Sequence, residues 1–178
     1  MKNIRTAIII MLVVICGSST ISAVSSMNSM ADKVTNYFYN GDGKYTNQSI
    51  YSDIKDKAEI AQNLVNLSKN YVNGNDSHIK EITKAVNDIS SEKSVKKLYA
   101  LTTTLDANVL WLLTELGNTA LSVTDSEMLV KLQSQYRSET NTINSSNYNT
   151  LARQYDDKVS GFPGDIFKLF AHKVEYFE

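Results

Sequence analysis

The chain of 178 residues is poor in cysteine, proline and glycine, with one, one and seven residues of each kind. A single cysteine excludes a disulfide framework within the chain and any zinc or iron–sulfur site that is built from several thiolates. The shortage of proline and glycine disfavours an all-β domain, which needs many tight turns, and favours long helices. A length of 178 residues predicts one domain, and the 42% of residues that are hydrophobic are enough to form its core.

The chain also lacks an excess of charge of either sign. It has 18 basic and 19 acidic residues, mixed along its length, and a formal net charge of −1. Nucleic acid is therefore not an expected partner, because binding to phosphates requires a basic surface. The sequence has no glycine-rich phosphate loop, no Gly-x-Ser-x-Gly elbow and no His-Glu-x-x-His element. We expect neither an enzyme nor a bound cofactor.

The N-terminus has the pattern of an export segment. Lys2 and Arg5 precede an unbroken apolar run at residues 7–16, and mostly small or apolar residues continue to Val24. Because positive charge tends to stay on the cytoplasmic side, we expect the N-terminus in the cytoplasm and the remainder of the chain outside.

Whether this segment is retained is left open by the sequence. The apolar run is shorter than the roughly 20 residues that a membrane span needs, although residues 7–24 extend it. A cleavage site after Ala23 would have the bulky Ile21 two residues before it, where a small residue is preferred. The prediction is a signal anchor over residues 1–24 in the cell membrane, and the alternative is a signal peptide whose cleavage gives a secreted protein.

The rest of the chain shows the apolar period of amphipathic helices. Residues 25–47, rich in Ser, Asn, Asp and Gly, are predicted as a polar stalk or an irregular helical extension. Apolar residues then recur at spacings of three and four in segments that turn signals separate, and no segment alternates as a strand would. The predicted helices cover residues 50–72, 79–89, 98–116 and 129–159, with a short helix from Asp165 onward. Residues 48–178 are thus predicted to form an all-α, antiparallel up-and-down bundle of about four long helices.

Several short motifs lie in a fixed order along the predicted bundle. Their residues are Asn63, Leu64, Val65, Tyr71, Glu139, Ile143, Tyr148, Asn149, Tyr155, Phe162 and Pro163. In these positions residues 48–178 resemble the LemA family. The resemblance implies a membrane-associated helical bundle for which no catalytic activity is established.

The chain departs from the family pattern mainly in its charges. Asp56 and Lys57 stand where members have paired arginines, Gln62 stands where they have proline, and Asp156 follows a tyrosine where asparagine is usual. Members also often have a predicted N-terminus outside the cell, whereas the charges of this chain predict the opposite orientation. We therefore expect a divergent member, in which charge-based contacts at Asp56 do not carry over from the family.

Few residues are candidates for chemistry. His78 and His172 are the only histidines and are expected to be ordinary surface residues, so no metal site is predicted. Glu115 lies in an otherwise apolar stretch, where burial would raise its pKa and make it an acid, or else it lies at the edge of the stripe. Asp106 is expected on the solvated side of the same helix.

The C-terminal segment is amphipathic and rich in aromatic residues. Phe167, Phe170, Tyr176 and Phe177 form the candidate partner surface, which either packs over the end of the bundle or contacts a protein or a membrane. The sequence thus predicts a non-enzymatic, membrane-tethered helical bundle that acts as a protein-interaction or scaffold module. The alternative is a secreted helical binding domain that is released by cleavage.

Overall fold

The computed structural model describes residues 2–41 and 49–178 of the chain. Its helices are α1 (Lys2–Asn40), α2 (Ile50–Ser68), α3 (Ser77–Ser91), α4 (Val95–Gly117), α5 (Val123–Asn144), α6 (Tyr148–Val159) and α7 (Gly164–Phe167). These residues form no strand, and the prediction of an all-α fold is confirmed. Residues 42–47, the end of the predicted stalk, lie outside the described residues.

The chain forms two compact units. Unit 1 comprises Met1–Asn36 and Thr150–Val174, and unit 2 comprises Tyr37–Asn149 and Glu175–Glu178. The helices α1 and α6 contribute residues to both units, so the units do not follow one another along the chain.

Unit 2 is built around the four helices α2 to α5. Helix α2 packs against the other three, most extensively against α5, while α3 packs along α4, and α4 and α5 have only a small contact with each other. Asp53 near the start of α2 lies beside Glu139 near the end of α5. Tyr71, just after α2, donates a hydrogen bond to Asp125 in the first turn of α5. The two helices therefore run in opposite directions, as the predicted antiparallel bundle requires.

The predicted apolar stripes form the core of unit 2. Fully buried members are Ile54, Ala61, Leu64, Ile82, Leu98, Leu105, Val109, Leu112 and Leu116. Each large aliphatic side chain removed from water contributes about 1.5–3 kcal/mol. The helices begin at capping residues whose side chains accept hydrogen bonds from the first turn, namely Ser49, Asp76, Ser94 and Ser122.

The predicted helix over residues 129–159 is in fact two helices, and the prediction was wrong here. Helix α5 ends at Asn144 and α6 begins at Tyr148. The backbone N–H of Ser145 closes the last turn of α5, and Ser146 Oγ accepts a hydrogen bond of 3.2 Å from the backbone N–H of Tyr148. Serine and asparagine side chains compete with the helical hydrogen bonds of the backbone, so this short polar run ends one helix and starts the next.

Unit 1 has a smaller core of its own. Met27 and Ala31 of α1 pack against Tyr155 and Val159 of α6. Partly buried side chains surround this core, namely Met30, Val34, Phe167, Ala171 and Val174. Residues 25–40, in the segment predicted as a stalk or irregular extension, belong to the regular helix α1.

A tight turn links α6 to α7, as the glycines of the sequence suggest. Gly161 has a positive φ of 86°, a conformation that other residues rarely adopt. A Cβ atom on Gly164 would lie 2.4 Å from the carbonyl oxygen of Val159, which leaves no room for a side chain. The chain therefore needs glycine at both positions in order to bring α7 against the core of unit 1.

Within residues 2–41 and 49–178, no helix combines the length and the apolar character that crossing a membrane requires. The signal anchor over residues 1–24 stays a prediction.

Candidate functional site

A lysine lies inside the bundle of unit 2. Lys57 of α2 is only 1% exposed, and its Nζ lies 2.6 Å from Asp106 Oδ1 of α4. The same Nζ lies 4.9 Å from the centre of the Tyr136 ring of α5, and the Tyr136 hydroxyl donates a hydrogen bond of 2.7 Å to Asp106 Oδ1. A buried ammonium is tolerated only when it is paired and hydrogen-bonded. These three residues, named here the Lys57 cluster, therefore link α2, α4 and α5 by polar contacts.

The electrostatics of this cluster keep its tyrosine neutral. Burial, reinforced by the neighbouring Asp106 carboxylate, raises the pKa of Tyr136 far above its ordinary value. The hydroxyl consequently remains a hydrogen-bond donor at every physiological pH.

The sequence reveals this cluster only in part. Asp106 was expected on the solvated side, and its side chain is indeed 41% exposed, but it also neutralises a buried lysine. The signal that would have identified Lys57 is its position, because it follows Ile54 by three residues and precedes Ala61 by four, within the apolar stripe of α2.

A cavity of about 240 Å³ opens beside the Lys57 cluster, between α4 and α5. We name it the α4–α5 groove. Its lining residues are Asp106, Val109, Leu110 and Leu113 of α4, and Gln133, Tyr136, Arg137 and Thr140 of α5. Small-molecule sites usually enclose about 300–1,000 Å³, so this groove is closer to the size of one or two side chains. Leu110 at its rim is 67% exposed.

A second cluster of polar residues lies where α2 begins and α5 ends. Carboxylate oxygens of Asp53, Asp56 and Glu139 lie within 4.8 Å of one another, and we name these residues the carboxylate cluster. Burial, followed by the charges of Glu139 and Asp56, raises the pKa of Asp53 from 3.8 to about 6. Burial and the charge of Asp56 also raise the pKa of Glu139. Such oxygens are the ligands that hard cations prefer.

The Tyr–Asn motif at the start of α6 holds the C-terminal segment in unit 2. The Tyr148 hydroxyl donates a hydrogen bond of 2.6 Å to the carbonyl oxygen of Glu175. Asn149 exchanges two hydrogen bonds of 2.8 Å with the backbone of Phe177, donating from Nδ2 and accepting at Oδ1. The motif thus binds the backbone of Glu175 and Phe177 through three hydrogen bonds.

The four residues predicted as a partner surface have different environments. The short helix predicted from Asp165 ends at Phe167, so Phe177 is not helical, and that part of the prediction was wrong. The Phe177 ring packs 5.6 Å from the Phe38 ring and 5.2 Å from that of Tyr99.

The remaining three divide between the two units. Phe167 packs against the core of unit 1, Tyr176 is half-buried, and Phe170 is exposed. In unit 1 the Tyr155 hydroxyl holds the same segment by a hydrogen bond of 3.0 Å to the carbonyl oxygen of His172. Whether this segment binds a partner stays a prediction.

The other motif residues lie at the two ends of the bundle and in the turn before α7. Leu64 and Val65 are buried in α2, whereas Asn63 is exposed. Phe162 and Pro163, in the turn, are both exposed.

The candidate residues for chemistry do not converge. The ring of His78 stacks on Trp111 at 4.4 Å and its Nδ1 lies 2.7 Å from Asn108 Oδ1. His172 Nδ1 lies 2.9 Å from a carboxylate oxygen of Asp32 in unit 1. Glu115 is exposed on α4, at the edge of the apolar stripe and not within it.

A sequence model of the LemA family matches residues 46–178, which is well over half of the chain. The match covers α2 to α7 and the C-terminal segment. Comparisons with curated proteins and with solved structures gave no match.

Removal of the Asp106 carboxylate should destabilise unit 2. Asp106→Ala leaves the Lys57 ammonium buried without a counter-charge, and we expect a loss of about 3 kcal/mol in the free energy of unfolding. Urea unfolding of the detergent-solubilised full chain, followed by the fluorescence of the single tryptophan, Trp111, measures this loss. The exposed Asp88→Ala is the matched control and should cost less than about 0.5 kcal/mol.

The double variant Lys57→Met with Asp106→Ala should recover most of the lost stability, because no charge is then left uncompensated. If Asp106→Ala were as harmless as the control, the Lys57 cluster would not carry the buried charge.

Compared with an Asp53→Asn variant, the wild-type unit 2 should lose stability as the pH rises from about 4 to about 6 in a buffer with chelator. The folded chain keeps a proton on Asp53 up to about pH 6, whereas the unfolded chain loses it near the ordinary pKa of 3.8, so raising the pH favours unfolding. Asp53→Asn should remove this slope and stabilise unit 2 at neutral pH by about 1–2 kcal/mol. The exposed Glu127→Gln should retain the wild-type pH dependence, and an Asp53→Asn variant whose stability changes with pH as the wild type does would contradict the assignment.

Proposed function

The chain belongs to the LemA family, and on this premise we propose that it is a non-enzymatic, membrane-tethered helical bundle that holds a helix of a partner protein in its α4–α5 groove. Binding of an amphipathic helix in an apolar groove is a common mode of protein recognition.

The observation that carries this proposal is the open seam between α4 and α5. Neighbouring helices in a bundle normally bury their facing side chains, but here Leu110 is largely exposed beside a cavity that also contacts Val109 and Leu113. An aliphatic side chain that entered the cavity would gain about 1.5–3 kcal/mol from burial. The seam therefore offers an anchor point for one apolar residue of a partner.

The polar side of the groove indicates what lies next to that residue. Both hydrogen bonds of Asp106 use Oδ1, so within the described part of the chain Oδ2 remains available as an acceptor. A lysine or arginine one helical turn from the apolar anchor would reach it, because residues three or four apart share one face of a helix. The occupant we propose is thus an amphipathic helix with one aliphatic anchor and one adjacent basic residue.

The chemistry of the groove supports a binding role rather than a catalytic one. The Lys57 ammonium is occupied by Asp106, and the raised pKa of Tyr136 keeps that hydroxyl protonated. The Tyr136 hydroxyl is therefore not poised to exchange protons near neutral pH, as a general acid or base must do, and the Lys57 ammonium is engaged in its ion pair.

Two features of unit 1 support the membrane tether. Helix α1 runs from Lys2 to Asn40, so it joins the apolar run at residues 7–16 directly to the core of unit 1. At a rise of about 1.5 Å per residue, Ile21 lies only ~8 Å beyond that run. Ile21, Val24 and Phe170 line one largely apolar cavity in this unit, and exposed apolar side chains so near an anchor are suited to a membrane surface.

The tether is tested by the intact mass of the protein in membrane and soluble fractions of its own cell. We expect a membrane-bound species that retains residues 1–24, because α1 continues through Ala23 without a break. A soluble species that begins near Val24 would instead establish the secreted alternative.

The groove is tested by photo-crosslinking in intact cells. We replace Leu110 by p-benzoylphenylalanine and, as the matched control, Val123, which is 79% exposed at the start of α5. Position 110 should crosslink to one discrete protein at least ~10-fold more than position 123, since a bound side chain outlasts a random collision. The crosslinked peptide should be an amphipathic helix with a basic residue near its anchor. Equal yields at the two positions would remove the groove from the proposal.

A further inference from the structure

We propose that the carboxylate cluster of Asp53, Asp56 and Glu139 is a binding site for one hard divalent cation such as Ca²⁺. The site lies where the first turns of α2 meet the last turns of α5, and it is separate from the α4–α5 groove.

The geometry of the cluster matches the size of such an ion. Two of its residues come from α2 and one comes from α5, and an oxygen from each lies within 4.8 Å of the other two. Bonds from Ca²⁺ to oxygen are about 2.3–2.6 Å long, so ligands on opposite sides of one ion are separated by roughly 5 Å. A single cation can therefore contact all three carboxylates at once.

A second observation concerns the surroundings of one member. Asp53 is only 9% exposed, yet within residues 2–41 and 49–178 its carboxylate has no hydrogen bond and no ion pair. One of its oxygens lies within 4.8 Å of an oxygen of each of the other two carboxylates. No fully buried side-chain oxygen of the described residues lacks a partner, so the Asp53 oxygens keep some contact with water. An ionised carboxylate that is so little exposed is nevertheless stabilised by a positive charge beside it. The position of Asp53 thus points to a cation that the side chains in the described part of the chain do not supply.

The lysines next to the cluster on α2 have other partners. Lys57 is paired with Asp106 at 2.6 Å, and the Lys55 ammonium lies over the Tyr51 ring at 4.7 Å. Neither ammonium forms an ion pair with the cluster, so among residues 2–41 and 49–178 the three acidic groups lie together without a neutralising lysine.

The choice of cation follows from the ligand atoms. All three ligands are carboxylate oxygens, which suit hard cations and not the softer ions that select histidine or cysteine. Ca²⁺ accepts irregular geometry and takes carboxylates with one or both oxygens, whereas Mg²⁺ demands a regular octahedron and keeps more of its waters. Asp56 is exposed, which leaves water free to complete the coordination. A bound ion would tie the start of α2 to the end of α5.

Calorimetric titration of the full chain tests the site directly. The detergent-solubilised protein is stripped with chelator, dialysed at neutral pH and titrated separately with CaCl₂ and MgCl₂. We expect one Ca²⁺ per chain and tighter binding of Ca²⁺ than of Mg²⁺. At ten times its Kd the bound ion should raise the midpoint of Trp111-monitored unfolding by ~5 °C.

Three variants distinguish the binding of Ca²⁺ at this site from a nonspecific attraction of cations to acidic residues elsewhere on the chain. Asp53→Asn and Asp56→Arg should each abolish binding, and both should keep the fold, because the first removes an unpartnered charge and the second adds a fixed cation. Glu127→Gln, which removes an exposed charge near the other end of α5, should bind Ca²⁺ as the wild type does. If Asp53→Asn failed to fold, Asp56→Arg would still decide the matter.

Two results would overturn the proposal. One is the absence of heat or thermal shift with either salt at about 10 mM, well above the Kd of weak extracellular calcium sites. The other is undiminished binding in Asp53→Asn or Asp56→Arg, which would place the ion elsewhere. Failure of this site would leave the proposed role of the α4–α5 groove unaffected, because none of the three carboxylates lines it.

Discussion

The ion pair between Lys57 and Asp106 constrains the arrangement of the whole bundle. An ammonium that is held away from water must keep a carboxylate within contact distance, so α2 and α4 cannot separate at this level without a large cost. Tyr136 extends the constraint to α5 through its hydrogen bond to the same oxygen. The polar atoms of Asp106 and Tyr136 thus lie between α4 and α5, where apolar side chains of two packed helices usually interdigitate. A cavity remains between the two helices at this level. The candidate binding groove lies directly beside this buried charge and shares Asp106 and Tyr136 with it.

The two polar clusters of unit 2 share a single stretch of α2. Asp56 belongs to the carboxylate cluster, and its neighbour Lys57 belongs to the cluster that underlies the groove. These are the two positions at which the chain departs from the paired arginines of the LemA pattern. Adjacent residues on a helix point about 100° apart, so one substitution faces α5 while the other faces the interior. Divergence in charge at one short segment thus shapes both candidate sites.

The residues that carry the family resemblance mainly organise the end of the chain. Tyr148 and Asn149 bind the backbone of residues 175–177 in unit 2, and Tyr155 binds that of His172 in unit 1. The aromatic C-terminal segment is consequently held along much of its length by side chains of α6. Phe170 is the member of the predicted partner surface that remains exposed.

The sequence by itself determined the helical class, most of the helices and the buried stripes, because the period of apolar residues and the capping residues are local properties. It did not determine the break between α5 and α6, where the hydrogen bonds of Ser146 outweigh the apolar period on either side. Only the tertiary structure decided that Asp53 meets Glu139 and that Lys57 lies inside. Both facts depend on how α2 packs against α4 and α5, and residues so distant in sequence become neighbours only when antiparallel helices settle into one register.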